Sequence, residues 1–175
     1  DIRFMDHSGI DARGTLRAFA YLGSKGGAST ISQQLARQLF VGVRSRSKFD
    51  AIKQKLKEWV LAIRLERSYT KEEIISMYLN IYDFGNNADG IRSAARIYFG
   101  KEPKDLKVEE SAMLVGMLQN SSLFNPLRRE ELTLNKRNVV LGQMAKYDYI
   151  TEAEKDSLQA MKMDINYNPE SHREG

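Results

Sequence analysis

The sequence lacks cysteine entirely and contains only two histidines among its 175 residues. Without cysteine the chain has neither disulfides nor thiol chemistry, and two histidines exclude a histidine-rich metal site. No apolar run reaches the roughly 18 residues that a membrane-spanning helix needs. These absences leave the compartment open, because a chain without cysteine is compatible with either the cytoplasm or the cell envelope.

The composition that is present is typical of a folded globular domain. The chain is 42% hydrophobic and 29% charged, and its length suits one ordinary domain with a substantial core. The net charge of +4 is modest, but residues 44–57 concentrate six cations: Arg44, Arg46, Lys48, Lys53, Lys55 and Lys57. This basic segment indicates an anionic surface or ligand nearby.

Apolar residues recur at helical rather than strand spacing along the chain, and we find no convincing period-two strand and no internal repeat. Thr70 with Glu73 and Thr151 with Glu154 match the capping-box pattern of helix starts, and Gly100 is typical of a helix end. The predicted helices span residues 48–67, 70–80, 89–99, 108–119, 130–146 and 152–161. The predicted fold class is therefore all-α.

The predicted helix at 48–67 carries both an apolar stripe and a pair of opposite charges. The stripe, which we expect to face the core, consists of Phe49, Ile52, Leu56, Trp59, Val60 and Ile63. Lys55 and Glu58 lie off this stripe, about 60° apart around the helix, so they can face a cleft together. The alternative is a solvated ion pair that contributes at most a few tenths of a kcal/mol.

Residues 26–40 (GGASTISQQLARQLF) set an unusual number of hydrogen-bonding groups at a helix start. Thr30 and Gln33 fit a capping box, which explains two of them. Ser29, Ser32 and Gln34 are left unexplained, as are the two glycines, which allow a close approach of the backbone to another group. Either this is an over-capped surface helix or these side chains line a binding site.

Five stretches, taken in order, resemble the motifs of the peptidoglycan glycosyltransferase domain, glycosyltransferase family 51, found in class A penicillin-binding proteins and monofunctional transglycosylases. The stretches are DIRFMDHSG at 1–9, GASTISQQL at 27–35, KQKLKE at 53–58, KEEIISMYLNIYDFGNNADGIRSAARIYFGK at 71–101 and KRNVVLGQM at 136–144. The resemblance implies a lysozyme-like helical domain over residues 1–163, truncated at its N-terminus, with an exit linker at 164–175.

The activity that the resemblance implies is polymerisation of lipid II, a disaccharide-pentapeptide on undecaprenyl diphosphate. In the family the acceptor 4-hydroxyl attacks the donor anomeric carbon with inversion, a glutamate removes the hydroxyl proton, and undecaprenyl diphosphate departs. The family pattern puts that first glutamate immediately before Asp1, outside this chain. Glu58 matches the second catalytic glutamate, which is proposed to orient the substrate or a divalent metal ion, Mg or Mn.

The resemblance also implies a donor cleft built from residues 29–58. The cations for the diphosphate would be Arg37 and Lys55, and the neutral donors would be Ser29, Thr30, Gln33 and Gln34; Phe4 and His7 would shape the first motif. The chain departs from the family at two places. Arg37 stands where lysine is common, and the loop at 83–93 (DFGNNADGIRS) is less typical than the tyrosine-bearing family version.

The implied partners are lipid II, the growing lipid-linked glycan and an anionic membrane surface, which residues 40–52 would contact. No nucleic acid is expected, because aromatic residues are sparse in the basic segment. The implied location is the bacterial cell envelope, at the outer face of the cytoplasmic membrane, with an anchor upstream and a transpeptidase domain as a candidate downstream neighbour. Two alternatives stay open: a lytic transglycosylase or lysozyme-like enzyme that cleaves glycan, and a noncatalytic basic module that binds membranes.

Overall fold

The structure is a computed structural model that describes residues 3–13, 29–42 and 47–169. Within these ranges the regular structure is helical, apart from an isolated bridge between Asp83 and Asp89. The α-helices are α1 (Ile31–Ala36), α2 (Lys48–Ser68), α3 (Lys71–Ile81), α4 (Gly90–Phe99), α5 (Val108–Met117), α6 (Glu130–Lys146) and α7 (Glu152–Ala160). Short 3-10 turns occur at Phe4–Asp6 and Pro103–Asp105, and a π-helical turn at Arg37–Val41. The all-α prediction is confirmed.

The helix ends form through the local interactions that the sequence predicts. The backbone N–H of Thr70 donates to the Glu73 carboxylate, and the N–H of Glu73 donates to the Thr70 hydroxyl. Thr151 and Glu154 make the same reciprocal pair at the start of α7. Gly100 ends α4 in the left-handed conformation, with φ of 64°. The capping boxes predicted at Thr70 and Thr151 and the predicted glycine stop are confirmed.

The chain divides into two compact units, Asp1–Leu79 and Asn80–Gly175. Unit 1 has a core that includes Leu35, Ala36, Ala62, Leu65, Ile74 and Tyr78. Unit 2 has a core that includes Ala94, Ile97, Tyr98, Met113, Leu114, Met117 and Leu141. Each unit therefore buries apolar surface of its own.

The predicted orientation of α2 is wrong. Its apolar stripe is largely exposed, with exposed fractions of 68% for Phe49, 61% for Ile52, 53% for Leu56 and 52% for Val60. The buried positions on α2 are instead Glu58, Ala62 and Leu65. Spacing identifies an apolar face of a helix but not the side on which the rest of the chain packs. Here that side carries small Ala62, which lies close to Gly9, and Glu58, whose carboxylate accepts from Lys55.

The first part of the predicted exit linker packs on unit 2. The Asn168 N–H donates to the Ile97 carbonyl at 2.8 Å, beside the end of α4. Arg137, which is only 1% exposed, donates to backbone carbonyls after the last turn of α7 and within it: those of Leu158, Gln159 and Met161. Burial lowers the pKa of Arg137. These bonds hold the chain as far as Asn168; residues 170–175 lie outside the described part.

Gly90 is expected to tolerate no side chain. Its φ is 80°, and a Cβ there would lie 2.5 Å from the Asn80 carbonyl oxygen. Gly90→Ala should therefore lower the free energy of unfolding by about 2 kcal/mol or more, from backbone strain and overlap together. Urea unfolding followed by circular dichroism measures this change.

Gly142 in α6 provides the matched control, because a Cβ there would contact only the Gln159 amide nitrogen at 3.9 Å. Gly142→Ala should raise the free energy of unfolding by roughly 0.5–1 kcal/mol through helix propensity. Equal effects of the two substitutions would contradict the loop conformation at Gly90.

Candidate functional site

A polar cluster lies in unit 1 where the start of α1 meets the first half of α2. Its centre is the Lys55 ammonium, which donates to Ser29 Oγ at 2.7 Å, Gln33 Oε1 at 3.0 Å and Glu58 Oε2 at 2.8 Å. An ammonium has three N–H donors, so each of them is engaged. Four residues that the sequence singled out are thus brought together by one cation, and we call them the Lys55 cluster.

The Lys55–Glu58 pair is not a solvated surface pair. The Glu58 side chain is 7% exposed and that of Lys55 30% exposed. A carboxylate removed from water in this way requires a charged partner and hydrogen bonds, and removal of either member leaves an uncompensated charge. The buried face of α2 therefore carries fixed charges beside a partly open cation, which is an arrangement suited to an anionic ligand.

Thr30 and Gln33 are buried and connect the first motif to α1. The Thr30 hydroxyl donates to the Gly9 carbonyl at 2.8 Å and accepts from the Gln33 N–H at 3.2 Å. The Gln33 side-chain amide also donates to the Gly9 carbonyl, at 3.2 Å. Thr30 caps α1 as predicted, whereas the Gln33 side chain bridges Gly9 and Lys55 instead of completing the capping box. Direct ligand binding by these two residues stays a prediction that requires these bonds to rearrange.

Ser29, Gln34 and Arg37 differ in how they relate to the Lys55 cluster. Ser29 Oγ accepts from Lys55 and retains its own O–H as a donor for a ligand. Gln34 Oε1 accepts from the Tyr78 hydroxyl at 3.0 Å, which leaves its amide N–H groups as donors. Arg37 begins the π-helical turn and has no side-chain hydrogen bond or ion pair within residues 3–13, 29–42 and 47–169. The structure therefore places Ser29 in the cluster and Arg37 outside it.

Residues 3–9 of the first motif form a compact turn. Phe4 is buried and packs edge-on against the His7 ring, with 6.0 Å between ring centroids. His7 Nδ1 accepts from the Gly9 N–H at 3.1 Å, which favours the neutral tautomer with its proton on Nε2. Burial, and next the nearby Lys71 cation, lower the pKa of His7 below its ordinary value of 6.5. Both effects favour the neutral form of the imidazole.

Sequence reasoning missed a second buried ion pair in this unit. Lys71 Nζ lies 2.6 Å from Glu66 Oε2, and the other Glu66 oxygen accepts from Ser32 Oγ at 2.5 Å. Lys71 also donates to the His7 carbonyl at 2.5 Å. A signal for Glu66 was available, because Glu58, Ala62 and Glu66 recur every four residues along one face of α2.

The described residues contain no group of three or more histidine, aspartate or glutamate side chains that could hold a metal ion. In the Lys55 cluster the ammonium lies among the oxygen atoms of Ser29, Gln33 and Glu58, where an oxygen-bound cation would otherwise lie. These residues do not fit a resident divalent ion as arranged. Magnesium or manganese bound with Glu58 stays a prediction.

Comparison with known families gives a match over most of the chain. The family described as Transglycosylase matches residues 1–145. Among curated proteins, penicillin-binding protein 1A of Vibrio cholerae is 42% identical over 164 residues, covering 91% of this chain and 19% of the relative. Penicillin-binding protein 1A of Escherichia coli is 39% identical, covering 95% of this chain and 20% of the relative. Penicillin-binding protein 1F of Bacillus subtilis is 35% identical, covering 98% and 24%.

A solved structure shows the same likeness. The crystal structure of penicillin-binding protein 1A from Haemophilus influenzae is 33% identical with a TM-score of 0.53, covering 57% of this chain and 15% of that one. The chain thus spans about a fifth of the length of the curated relatives given above. The matched region contains both the Lys55 cluster and the first motif.

Gly9 is expected to fix the distance between the first motif and α2. Its φ is 96°, and a Cβ there would lie 2.9 Å from the backbone C and O atoms of Ala62. Gly9→Ala should lower the free energy of unfolding by about 2 kcal/mol or more, because backbone strain of 1–2 kcal/mol is joined by overlap with backbone atoms that cannot move aside. Thermal unfolding measures this loss.

Gly42 isolates the strain from the overlap. Its φ is 74°, but a Cβ there would have no neighbour within 4 Å. Its ψ of −147° lies in a region that is essentially restricted to glycine, so Gly42→Ala should cost the backbone strain alone, about 1–3 kcal/mol, and less than Gly9→Ala. If both alanine variants lose the same stability, the close approach of Gly9 to α2 is disproved.

Proposed function

The chain belongs to the transglycosylase family, the glycosyltransferase domain of class A penicillin-binding proteins, and we propose that it polymerises lipid II into glycan strands. In this proposal the acceptor 4-hydroxyl displaces undecaprenyl diphosphate from the donor anomeric carbon with inversion. The observation that carries the proposal is the Lys55 cluster, because it assembles residues of the second and third motifs around one cation. A departing diphosphate requires such a site.

The diphosphate is the part of the substrate that the Lys55 cluster suits. Negative charge grows on the leaving oxygen as the glycosidic bond breaks, so fixed positive charge stabilises the transition state more than the bound substrate. We propose that a phosphate oxygen replaces one neutral acceptor of Lys55, either Ser29 or Gln33. The Ser29 O–H then donates to a neighbouring phosphate oxygen. Arg37, which lacks a partner among the described residues, supplies a second cation to the same group.

In this proposal Glu58 acts on the substrate through Lys55. Its buried carboxylate holds the ammonium at one position, and such orientation before reaction is what makes an electrostatic site effective. The proton of the acceptor hydroxyl goes to a different carboxylate. By the family pattern this base is the glutamate that precedes Asp1, and the first motif would present it.

Glu58→Gln should lower polymerisation on the order of a hundredfold while the fold is retained, because the amide keeps the size of the side chain but releases the ammonium. The assay is glycan-strand formation from lipid II, using the protein with its native upstream residues. Glu72→Gln, an exposed change in the first turn of α3, is the matched control and should leave the rate unchanged.

Three results, from this assay and from parallel assays of glycan cleavage and membrane binding, would overturn the proposal. Wild-type turnover by Glu58→Gln would remove Glu58 from the site. Cleavage of finished glycan without growth from lipid II would identify the lytic alternative. Membrane binding without either reaction would favour the noncatalytic module.

The exposed apolar face of α2 supports a further part of the proposal, contact with an anionic membrane surface. Phe49, Ile52, Leu56 and Val60 present apolar side chains to solvent, and the Lys53 ammonium lies 4.5 Å from the centre of the Phe49 ring. Phe40 of the π-helical turn is exposed as well. An apolar helix face flanked by cations suits the headgroup boundary of a bilayer.

Residues 40–52 are predicted to take part in this membrane contact. Among them, residues 43–46, which include Val43, Arg44 and Arg46, lie outside the described residues. None of the helices in the described ranges has both the length and the hydrophobicity to cross a bilayer. We propose that the domain acts at the outer face of the cytoplasmic membrane of the bacterial envelope, joined to an anchor and to a transpeptidase domain elsewhere in its polypeptide.

Val60→Asp should weaken binding to vesicles that contain anionic lipid, because the change puts a negative charge on the apolar face without altering the core. Val139→Asp in α6 is the matched control, since Val139 is exposed to nearly the same extent, 54% against 52% for Val60. Cosedimentation measures both. Equal binding by the two variants would locate the membrane contact somewhere other than α2.

A further inference from the structure

We propose that Glu66 and Lys71 form a positioning pair that holds the first motif against α1 and so sets the acceptor side of the reaction. The inference rests on the proposed function for the reaction it serves, and on contacts within unit 1 for its geometry. Neither residue belongs to the Lys55 cluster. We call the two residues the Glu66–Lys71 pair.

Lys71 contacts the first motif at two points. Its ammonium donates to the His7 carbonyl at 2.5 Å and lies 4.4 Å from the centre of the Phe4 ring. The hydrogen bond fixes the backbone of the motif at His7, and the cation–π contact holds the Phe4 ring in place. Lys71 comes from the start of α3, 64 residues along the chain from His7. The first motif is therefore positioned by a residue far from it in sequence.

Glu66 connects Lys71 to α1. One carboxylate oxygen lies 2.6 Å from Lys71 Nζ, and the other accepts from the hydroxyl of Ser32, a fully buried residue in the first turn of α1. The side chains are 5% exposed for Glu66 and 18% for Lys71. An ion pair this far removed from water has a fixed geometry, unlike a surface pair. Removal of one member leaves an uncompensated buried charge, which strongly lowers the free energy of unfolding.

The first motif is thus held by two separate sets of bonds. The Glu66–Lys71 pair holds it at Phe4 and His7, whereas Thr30 and Gln33 hold it at the Gly9 carbonyl. Two attachments fix both the position and the direction of a short segment, and one alone would let it pivot. A displacement of about 1 Å in a reacting group costs on the order of a hundredfold in rate. Loss of the pair should therefore reduce catalysis more than donor binding.

The ionisation of His7 reports on the pair independently of activity. The groups that face His7 are Lys71, which lowers its pKa, and Glu66 and Asp11, which raise it. Lys71→Met removes a cation and should raise the pKa of His7. Glu66→Gln breaks the same ion pair but removes an anion, so it should lower the pKa of His7. A loosened structure would instead move His7 toward 6.5 in both variants.

The measurement is a proton NMR titration of the histidine ring signals in wild type, Lys71→Met and Glu66→Gln. The chain has only two histidines, so His172→Gln assigns the His7 signal by elimination. Opposite shifts support the pair. Shifts in the same direction, or none, overturn it.

Steady-state kinetics on lipid II, in the protein with its native upstream residues, test what the pair does. Lys71→Met should lower kcat at least tenfold and change KM less than about threefold, and Lys71→Arg should restore part of kcat because the charge survives. Lys155→Met is the matched control, since Lys155 also pairs with carboxylates, those of Glu152 and Asp156, but on α7; it should leave kcat unchanged.

The kinetic outcomes separate this inference from the proposed function. Opposite His7 shifts with unchanged kcat would mean that the pair exists but does not position the reaction, which overturns the inference alone. A wild-type protein that forms no glycan from lipid II would overturn the proposed function, while the histidine titration would still decide whether the pair holds the first motif.

Discussion

The buried carboxylates of α2 are the constraint on which the rest of unit 1 depends. Glu58 and Glu66 lie two turns apart on the face that packs against α1, and each needs a cation and a hydroxyl or amide nearby to offset the loss of water. Lys55 supplies the cation for Glu58, and its ammonium is itself held by Ser29 Oγ and Gln33 Oε1, which accept from it. Lys71 and the Ser32 hydroxyl both bond to Glu66. The polar residues crowded into the start of α1 are therefore explained by what α2 buries.

This constraint also accounts for the exposed apolar face of α2. A helix that turns its charged side inward must turn its apolar side outward, and Phe49, Ile52 and Leu56 are exposed as a consequence. In a protein surrounded only by water such a face would be a liability. At a bilayer surface it would add to binding. Under the proposed function, one arrangement of α2 would therefore serve both the diphosphate of the substrate and the lipid that carries it.

The sequence predicts local structure well and orientation poorly, for one physical reason. Helix ends depend on interactions between neighbours, so α6 runs over Glu130–Lys146 as predicted and the box of Thr151 and Glu154 forms. The side of α2 that faces inward depends on groups far along the chain. Helical spacing predicted that Lys55 and Glu58 lie together, and the family motifs added Ser29 and Gln33. The bond from Lys71 to the His7 carbonyl joins residues 64 apart in sequence, and neither helical spacing nor the family motifs predict it.

Under the proposed function, the Lys55–Glu58 pair and the Glu66–Lys71 pair take different parts of the reaction. The Lys55 cluster keeps a cation partly open to solvent, with a side chain 30% exposed, and so suits a ligand that arrives and leaves. The Glu66–Lys71 pair is more deeply buried and bonds only to protein groups within the described residues, so it suits a fixed part. Glu58 and Glu66 both lie on α2, and the regular helical rise of 1.5 Å per residue fixes the distance between them. In an inverting glycosyl transfer the nucleophile and the leaving group act on opposite faces of one carbon, so the groups that serve them must be held at a fixed distance and direction from each other. Under the proposed function, α2 provides this by holding both the Lys55 cluster, where the leaving charge develops, and the Glu66 carboxylate that positions the first motif.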